Sequence, residues 1–404
     1  MPDRTEPVET WISHSSRAGP RGKYIRIWII ALILTGLTIL VHISSPSTIH
    51  QSEGQWIENI KLHITQDVFR VRPLTTNIVR FLATHIGLTY RSAFFGLQFL
   101  LFFLLCPALY FYFNQLGYNH RFSAIGMIIF ALSLPVFLAH FEPIFTWSDF
   151  WLYLMVPLSL GLAIRHKFIL AALAMACALV ARETAAFFIP ILCAIIYRQK
   201  NGGPGESILV CLLTLALFLG GRILLVGFYF PHPEYGYQFN FDGALRTSDS
   251  IFSFIVSLGF IWVIGFYQLF QKPEVNFRYA NLIRFGAVLT AIGCILSTYF
   301  YGHFRESRLF LPPAIFLVPL VLSYLNIRGS HIKELFRRYN KWINSVILIT
   351  LLAISILIAR LLFPKFEYRA WHDGNWIYMG IHISLMIIFL IVELTRRQLQ
   401  AADK

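Results

Sequence analysis

Asp67, Arg70 and Arg72 fall within one short stretch, TQDVFRVRPL. A carboxylate beside two guanidinium groups has a definite chemical reach. Arginine keeps its charge and grips phosphate through paired N–H bonds. An aspartate can take the proton of an attacking hydroxyl as a general base. Together they suit moving a group from a lipid phosphate to an acceptor. The same residues also suit a plainer job, flanking an interfacial helix with the arginine stems laid along it.

More charged positions share this potential. Asp149, in HFEPIFTWSDF, opens an apolar run. An acid there can do chemistry, or simply cap a helix. Arg182 and Glu183 interrupt the long apolar stretch 168–197. Ionisable groups in such a run pair or face a polar cavity. They are therefore either a mutual ion pair or a cavity wall that touches a phosphate. Arg305 and Arg308, in HFRESR, stand three apart and share a face if that turn is helical. Glu306 can hold one of them. A cationic floor for a phosphate and plain anchoring are both open readings of this junction.

Elements must position these groups, and composition says of what kind. Hydrophobic residues make up 57% of the 404, charged residues 13%, and the mean hydropathy is +0.63. A soluble chain of this length could not solvate that much apolar surface. Several apolar runs approach the roughly 20 residues that a bilayer crossing needs. The expected fold is all-α, a polytopic integral membrane helix bundle of about twelve crossings. Long apolar blocks, in place of short alternating ones, exclude a β-barrel. The net charge of +14 is dispersed between apolar runs, as topology signals are, with no basic tract interleaved with aromatics. The lipid bilayer is the expected partner, and nucleic acid is not. Cys106, Cys177, Cys193, Cys211 and Cys294 lie singly in apolar runs and read as small core residues.

Basic residues orient the chain. Arg21, Lys23 and Arg26 precede the first apolar run, so residues 1–22 are expected in the cytoplasm as a tail, with no cleaved leader. Residues 43–90 form an outer loop with two amphipathic interfacial helices. The first carries Ile57, Ile60, Ile64 and Val68; the second, opened by Pro73, carries Ile78, Phe81, Leu82 and Ile86. RHK before residue 168 and YRQK after residue 196 place both ends of that stretch on the same side. It then forms a short helical hairpin with RET at its tip and about 13–14 residues in each half. The rival is one long tilted helix. The basic loop NIRGSHIKELFRRYNK and the tail 395–404 return to the cytoplasm. Residues 1–404 read as a single transmembrane domain with both termini inside. The candidate residues all fall on the outer side.

This layout resembles the C-type glycosyltransferase superfamily (GT-C), multispanning enzymes that use polyprenyl-phosphate-linked sugars. Three features carry the likeness: TQDVFRVRPL in a long first outer loop, the acid of FTWSDF in the next, and the charged break in LVARETAAFFIPIL. The last, with FRESRLFLPPAIFLVPL, is similar to bacterial membrane proteins that share this architecture. The resemblance implies a membrane glycosyltransferase of the plasma membrane, acting on its outer, extracytoplasmic face. Asp67 would be the first-loop catalytic acid. Asp149 would match the second-loop acid that positions the acceptor or a metal, so a divalent cation is a cofactor to test. Arg70, Arg72, Arg182, Arg305 and Arg308, with Glu183, would hold the donor's lipid phosphate. Asp67 departs from many members in having no second acid beside it.

Other classes use similar parts. A transporter or lipid-linked-glycan flippase would place charges near mid-membrane, where Arg182 and Glu183 are the only candidates. A polysaccharide polymerase or ligase uses outward arginine-rich loops, with its long outer loop late in the chain; here the longest comes first.

Overall fold

The computed structural model describes residues 20–44, 48–65, 70, 72–133, 136, 148–199, 203–227, 258–271, 279–301, 311–337, 341–362 and 375–402. Among these residues the fold is all-helical, with fourteen α-helices and no strand. Two helices, Tyr90–Gln115 and Pro204–Val226, are long and apolar enough to cross a membrane. Ten shorter apolar segments of 10–17 residues accompany them. These twelve coincide with the apolar runs of the sequence.

The chain begins with α1 (Pro20–Ser44), α2 (Glu53–Thr65) and α3 (Pro73–Ile86). Pro73 opens α3, where a missing N–H costs nothing, and Gly87 closes it in the left-handed region at φ 79°. In α4 (Tyr90–Gln115) Thr89 caps the start by accepting from the Ser92 N–H. Asn119 does the same for α5 (His120–Ala131) at Phe122. Glu53 reaches back to accept from the Tyr90 N–H at 2.6 Å, which ties α2 to the head of α4.

Helix α2 meets the bundle along Trp56, Ile60 and His63. That seam is one step round from the expected apolar face, because Trp56 wedges between Phe94 and Phe95 of α4. Ile57 and Ile64 are exposed, as are Phe81 and Ile86 on α3. Helix α3 turns Pro73, Thr75, Thr76 and Val79 inward.

The centre of the molecule is the antiparallel set α6 (Asp149–Ile164), α7 (Phe168–Ala181) and α8 (Ile189–Tyr197), packed on α4 and α9 (Pro204–Val226). Two bonds show how the chain runs. Gln199, after α8, donates to the Ala163 carbonyl at 2.6 Å, beside the start of α7. Arg182, after α7, contacts Asp149 at the opposite end of α6. The chain therefore turns back at Arg182 as a hairpin. Its halves are unequal. The rising limb is a 14-residue helix, whereas the falling limb starts as a 3-10 segment, Glu183–Phe188, and has only nine residues of α-helix. Pro190 lies in the first turn of α8, where it lets that helix start but not extend backward.

Small residues allow this close packing. Ala171, Ala172, Ala178 and Ala181 are fully buried on α7, and the Ser159 hydroxyl donates to the Ala171 carbonyl at 2.7 Å. A Cβ at Gly161 would stand 2.6 Å from the Phe111 ring.

The rest of the bundle is α10 (Phe260–Phe270), α11 (Ala280–Tyr301), α12 (Ala314–Arg337), α13 (Lys341–Leu362) and α14 (Asn375–Ala402). Helices α10 and α11 pack on α12, and α13 and α14 pair with each other.

Candidate functional site

Three separate segments bring charge to one end of the bundle. Asp149 is the first residue of α6, Arg182 ends α7 in extended backbone, and Arg72 precedes α3. Arg182 and Asp149 form an ion pair, 5% and 1% exposed respectively. The next residue, Glu183, pairs away from it: its Oε2 accepts from Arg72 Nε at 3.0 Å. The two adjacent charges of the hairpin tip therefore do not pair with each other. One bonds the head of α6 and the other bonds the residue before α3.

The pairs differ in setting. Asp149–Arg182 is almost wholly buried, so each charge draws much of its compensation from the other. The side chains of Arg72 and Glu183 are 25% and 42% exposed. That pair lies at the surface, and water or an incoming anion can compete for it. Tyr153, one turn into α6, points its hydroxyl at Asp149 Oδ2 at 3.5 Å. Near these residues in the chain, Ser148 Oγ, Trp151 Nε1 and Thr184 Oγ1 are buried without a hydrogen-bond partner among the described residues. Buried polar atoms of that kind mark places that water or a ligand satisfies.

Arg70 is engaged elsewhere than Arg72. It lines a cleft between α2, α3 and the end of α9. Asp67, Arg305 and Arg308 lie outside the described residues. Of the expected site residues, the structure thus joins Arg72, Arg182, Glu183 and Asp149, and sets Arg70 in a neighbouring cleft. Among the described residues no three His, Cys, Asp or Glu side chains converge, and the Asp149 carboxylate is already held by a guanidinium. The described residues offer a divalent cation no ligand set.

Sequence reasoning missed two features. One is Tyr153, legible from its spacing of four after Asp149 on a helix. The other is a second polar network at the opposite end of the bundle. Glu393 of α14 accepts from Tyr267 of α10 at 2.8 Å and Tyr324 of α12 at 3.1 Å, and Arg328 of α12 stands 3.6 Å away. An acid inside the last apolar run was the available signal. Arg328 was hidden among basic residues that read as topology markers.

Comparison of the chain with protein-family models, with curated proteins and with solved structures finds no match.

Proposed function

We propose that the chain is a multispanning membrane protein that transfers a sugar from a polyprenyl-phosphate donor to an acceptor, on the extracytoplasmic side. The observation that carries this reading is the meeting of Arg72, Glu183, Arg182 and Asp149, drawn from three distant segments, at one end of the bundle.

The membrane part has its own support. Outward-facing residues of α9 and α13 are almost wholly aliphatic, among them Leu209, Leu212, Leu224, Ile349 and Leu361. A helix apolar around its whole girth needs lipid or protein about it. At the end away from Asp149, Arg165 donates to Gln115 at 3.1 Å, and Arg284 caps α10 by donating to the Gln268 and Gln271 carbonyls. Arginines bound to helix ends there agree with a cytoplasmic face.

The chemistry needs few parts. The acceptor oxygen forms a bond to the anomeric carbon while the bond from that carbon to the donor phosphate oxygen breaks. The acceptor's proton passes to a base, for which Asp67, five residues before Arg72, is the candidate. The polyprenyl phosphate leaves with its added negative charge. Arg72 is the group suited to receive that charge, since its surface carboxylate partner can be exchanged for a phosphate. The buried Asp149–Arg182 pair fixes the hairpin tip beneath it and so positions Glu183. Stabilising the departing phosphate is the main electrostatic contribution.

Protein purified into nanodiscs should be incubated with a panel of polyprenyl-phosphate sugars, with transfer followed by mass spectrometry. Sugar transfer that is lost in Asp67→Asn and Arg72→Gln, with folding kept, is the expected result. An intact donor across a broad panel would overturn the transferase reading. Movement of lipid-linked sugar between leaflets without transfer would replace it with a flippase.

A further inference from the structure

The cleft that takes Arg70 is separate from the paired charges. It encloses about 170 Å³ between α2, α3 and the outer end of α9. Arg70 and Arg80 supply two guanidinium groups, and no carboxylate lines it among the described residues. Arg80 forms no ion pair among those residues. Thr76 faces the same cleft; it is 4% exposed, and its hydroxyl has no hydrogen-bond partner among the described residues. A buried hydroxyl left open beside the Arg80 guanidinium, with Arg70 adding positive charge to the same cleft, points to an anion held there.

The opposite wall is apolar. Ile64, Leu225 and Val226 form it, and Asn77 ties α3 to α9 by donating to the Leu225 carbonyl at 3.5 Å. That wall continues into the exposed aliphatic side of α9, where Leu219 and Ile223 are uncovered and Leu224 is 85% exposed. Cations at the head of an apolar groove fit a charged headgroup joined to a hydrocarbon chain. Size narrows the choice. The volume corresponds to roughly six water molecules, below the few hundred Å³ of a site enclosing a whole small-molecule ligand. A phosphate with its ester carbons fits within it.

We propose that this cleft binds the phosphodiester headgroup of an anionic bilayer lipid, with an acyl chain lying along Leu219, Ile223 and Leu224 of α9. The proposal rests on the membrane part of the reading above and not on sugar transfer. The bound lipid would clamp the first outer loop, which carries Arg72, to the bundle.

The test uses the full chain in nanodiscs of mixed anionic phosphodiester and zwitterionic lipid, with retained lipids counted by native mass spectrometry. Wild type is expected to keep the anionic lipid in preference. Arg70→Gln and Arg80→Gln should each weaken that preference roughly fivefold, the factor matching about 1 kcal/mol per basic residue at an anionic surface. Thr76→Val should weaken it less. An unchanged preference in the folded double variant overturns the proposal. Arg80→Gln alone, a change at an exposed side chain, settles the matter if the double variant does not fold. Inorganic phosphate and glycerol phosphate are added to wild type as competitors. Failure of both to displace the lipid supports the headgroup-and-chain reading, and displacement at matched concentration overturns it. Recovery of the chain as a soluble protein without detergent would instead end the membrane reading itself.

Discussion

Arg182 of the hairpin tip pairs with Asp149 at the head of α6, although Glu183 is its neighbour in the chain. Extended backbone at Arg182, φ −158° and ψ 127°, is the reason. Successive side chains of an extended segment point to opposite sides, so Arg182 turns into the bundle and Glu183 turns out toward Arg72. The tip is thereby fastened both to the head of α6 and to the residue before α3.

Because the Asp149–Arg182 pair is almost wholly buried, removing one partner strands a buried charge. Asp149→Ala and Arg182→Ala should each destabilise the fold by about 3–5 kcal/mol. The joint replacement Asp149→Leu with Arg182→Met should recover most of that loss, since no lone charge remains. Denaturation in detergent, arranged as a double-mutant cycle, measures the coupling. Additive losses would show that the pair does not act as a unit.

The surface pair behaves differently. An exposed ion pair contributes about 0–1 kcal/mol, so Arg72→Gln should leave the melting temperature nearly unchanged. Exchanging the charges, Arg72→Glu with Glu183→Arg, preserves the pair but moves the cation. Stability should then hold while transfer falls, in the same nanodisc assay. Full activity in the exchanged variant would mean that the pair, and not the position of the guanidinium, is what matters.

Glu393 is a polar tie between α14 and the helices α10 and α12. Hydrogen bonds to a charged group contribute about 1.5–3 kcal/mol each, so Glu393→Ala should free α14 more than Tyr267→Phe or Tyr324→Phe does alone. Hydrogen exchange should rise in α13 and α14 and stay level in α6 and α7. Uniform protection across the bundle would count against this tie.

Gly161→Ala tests the closeness of α6 and α4. The added methyl would meet Phe111 at 2.6 Å, and overpacking of that kind costs about 1–3 kcal/mol. A lowered melting temperature restored by Phe111→Leu is the expected signature.

At Gly259 a second close approach involves backbone strain as well. Its φ is +48°, and a Cβ there would run into the His382 ring, whose Nδ1 accepts from the Phe260 N–H at 3.3 Å. Gly259→Ala should therefore loosen α14 from α10 near His382, read as faster exchange at Phe260.

The sequence alone settled where helices form. An apolar run leaves its mark residue by residue, so α1, α4, α9 and the broken stretch 168–197 were legible from composition and spacing. The same holds for the sites of interest: a charge in an apolar run is costly wherever it sits, and Arg182 and Glu183 stood out for that reason, while Asp149 stood out as the acid that opens such a run. Which charge meets which was decided only by the tertiary structure. Arg72 and Glu183 are 111 positions apart, and no local pattern encodes such a pairing. It follows from how alanine-lined helices pack and from one residue of extended backbone. The helix faces were also settled late. Trp56 outranks Ile57 and Ile64 because a pair of aromatic rings on α4 is there to receive it, and Glu393 finds its two tyrosines only once α10, α12 and α14 are side by side.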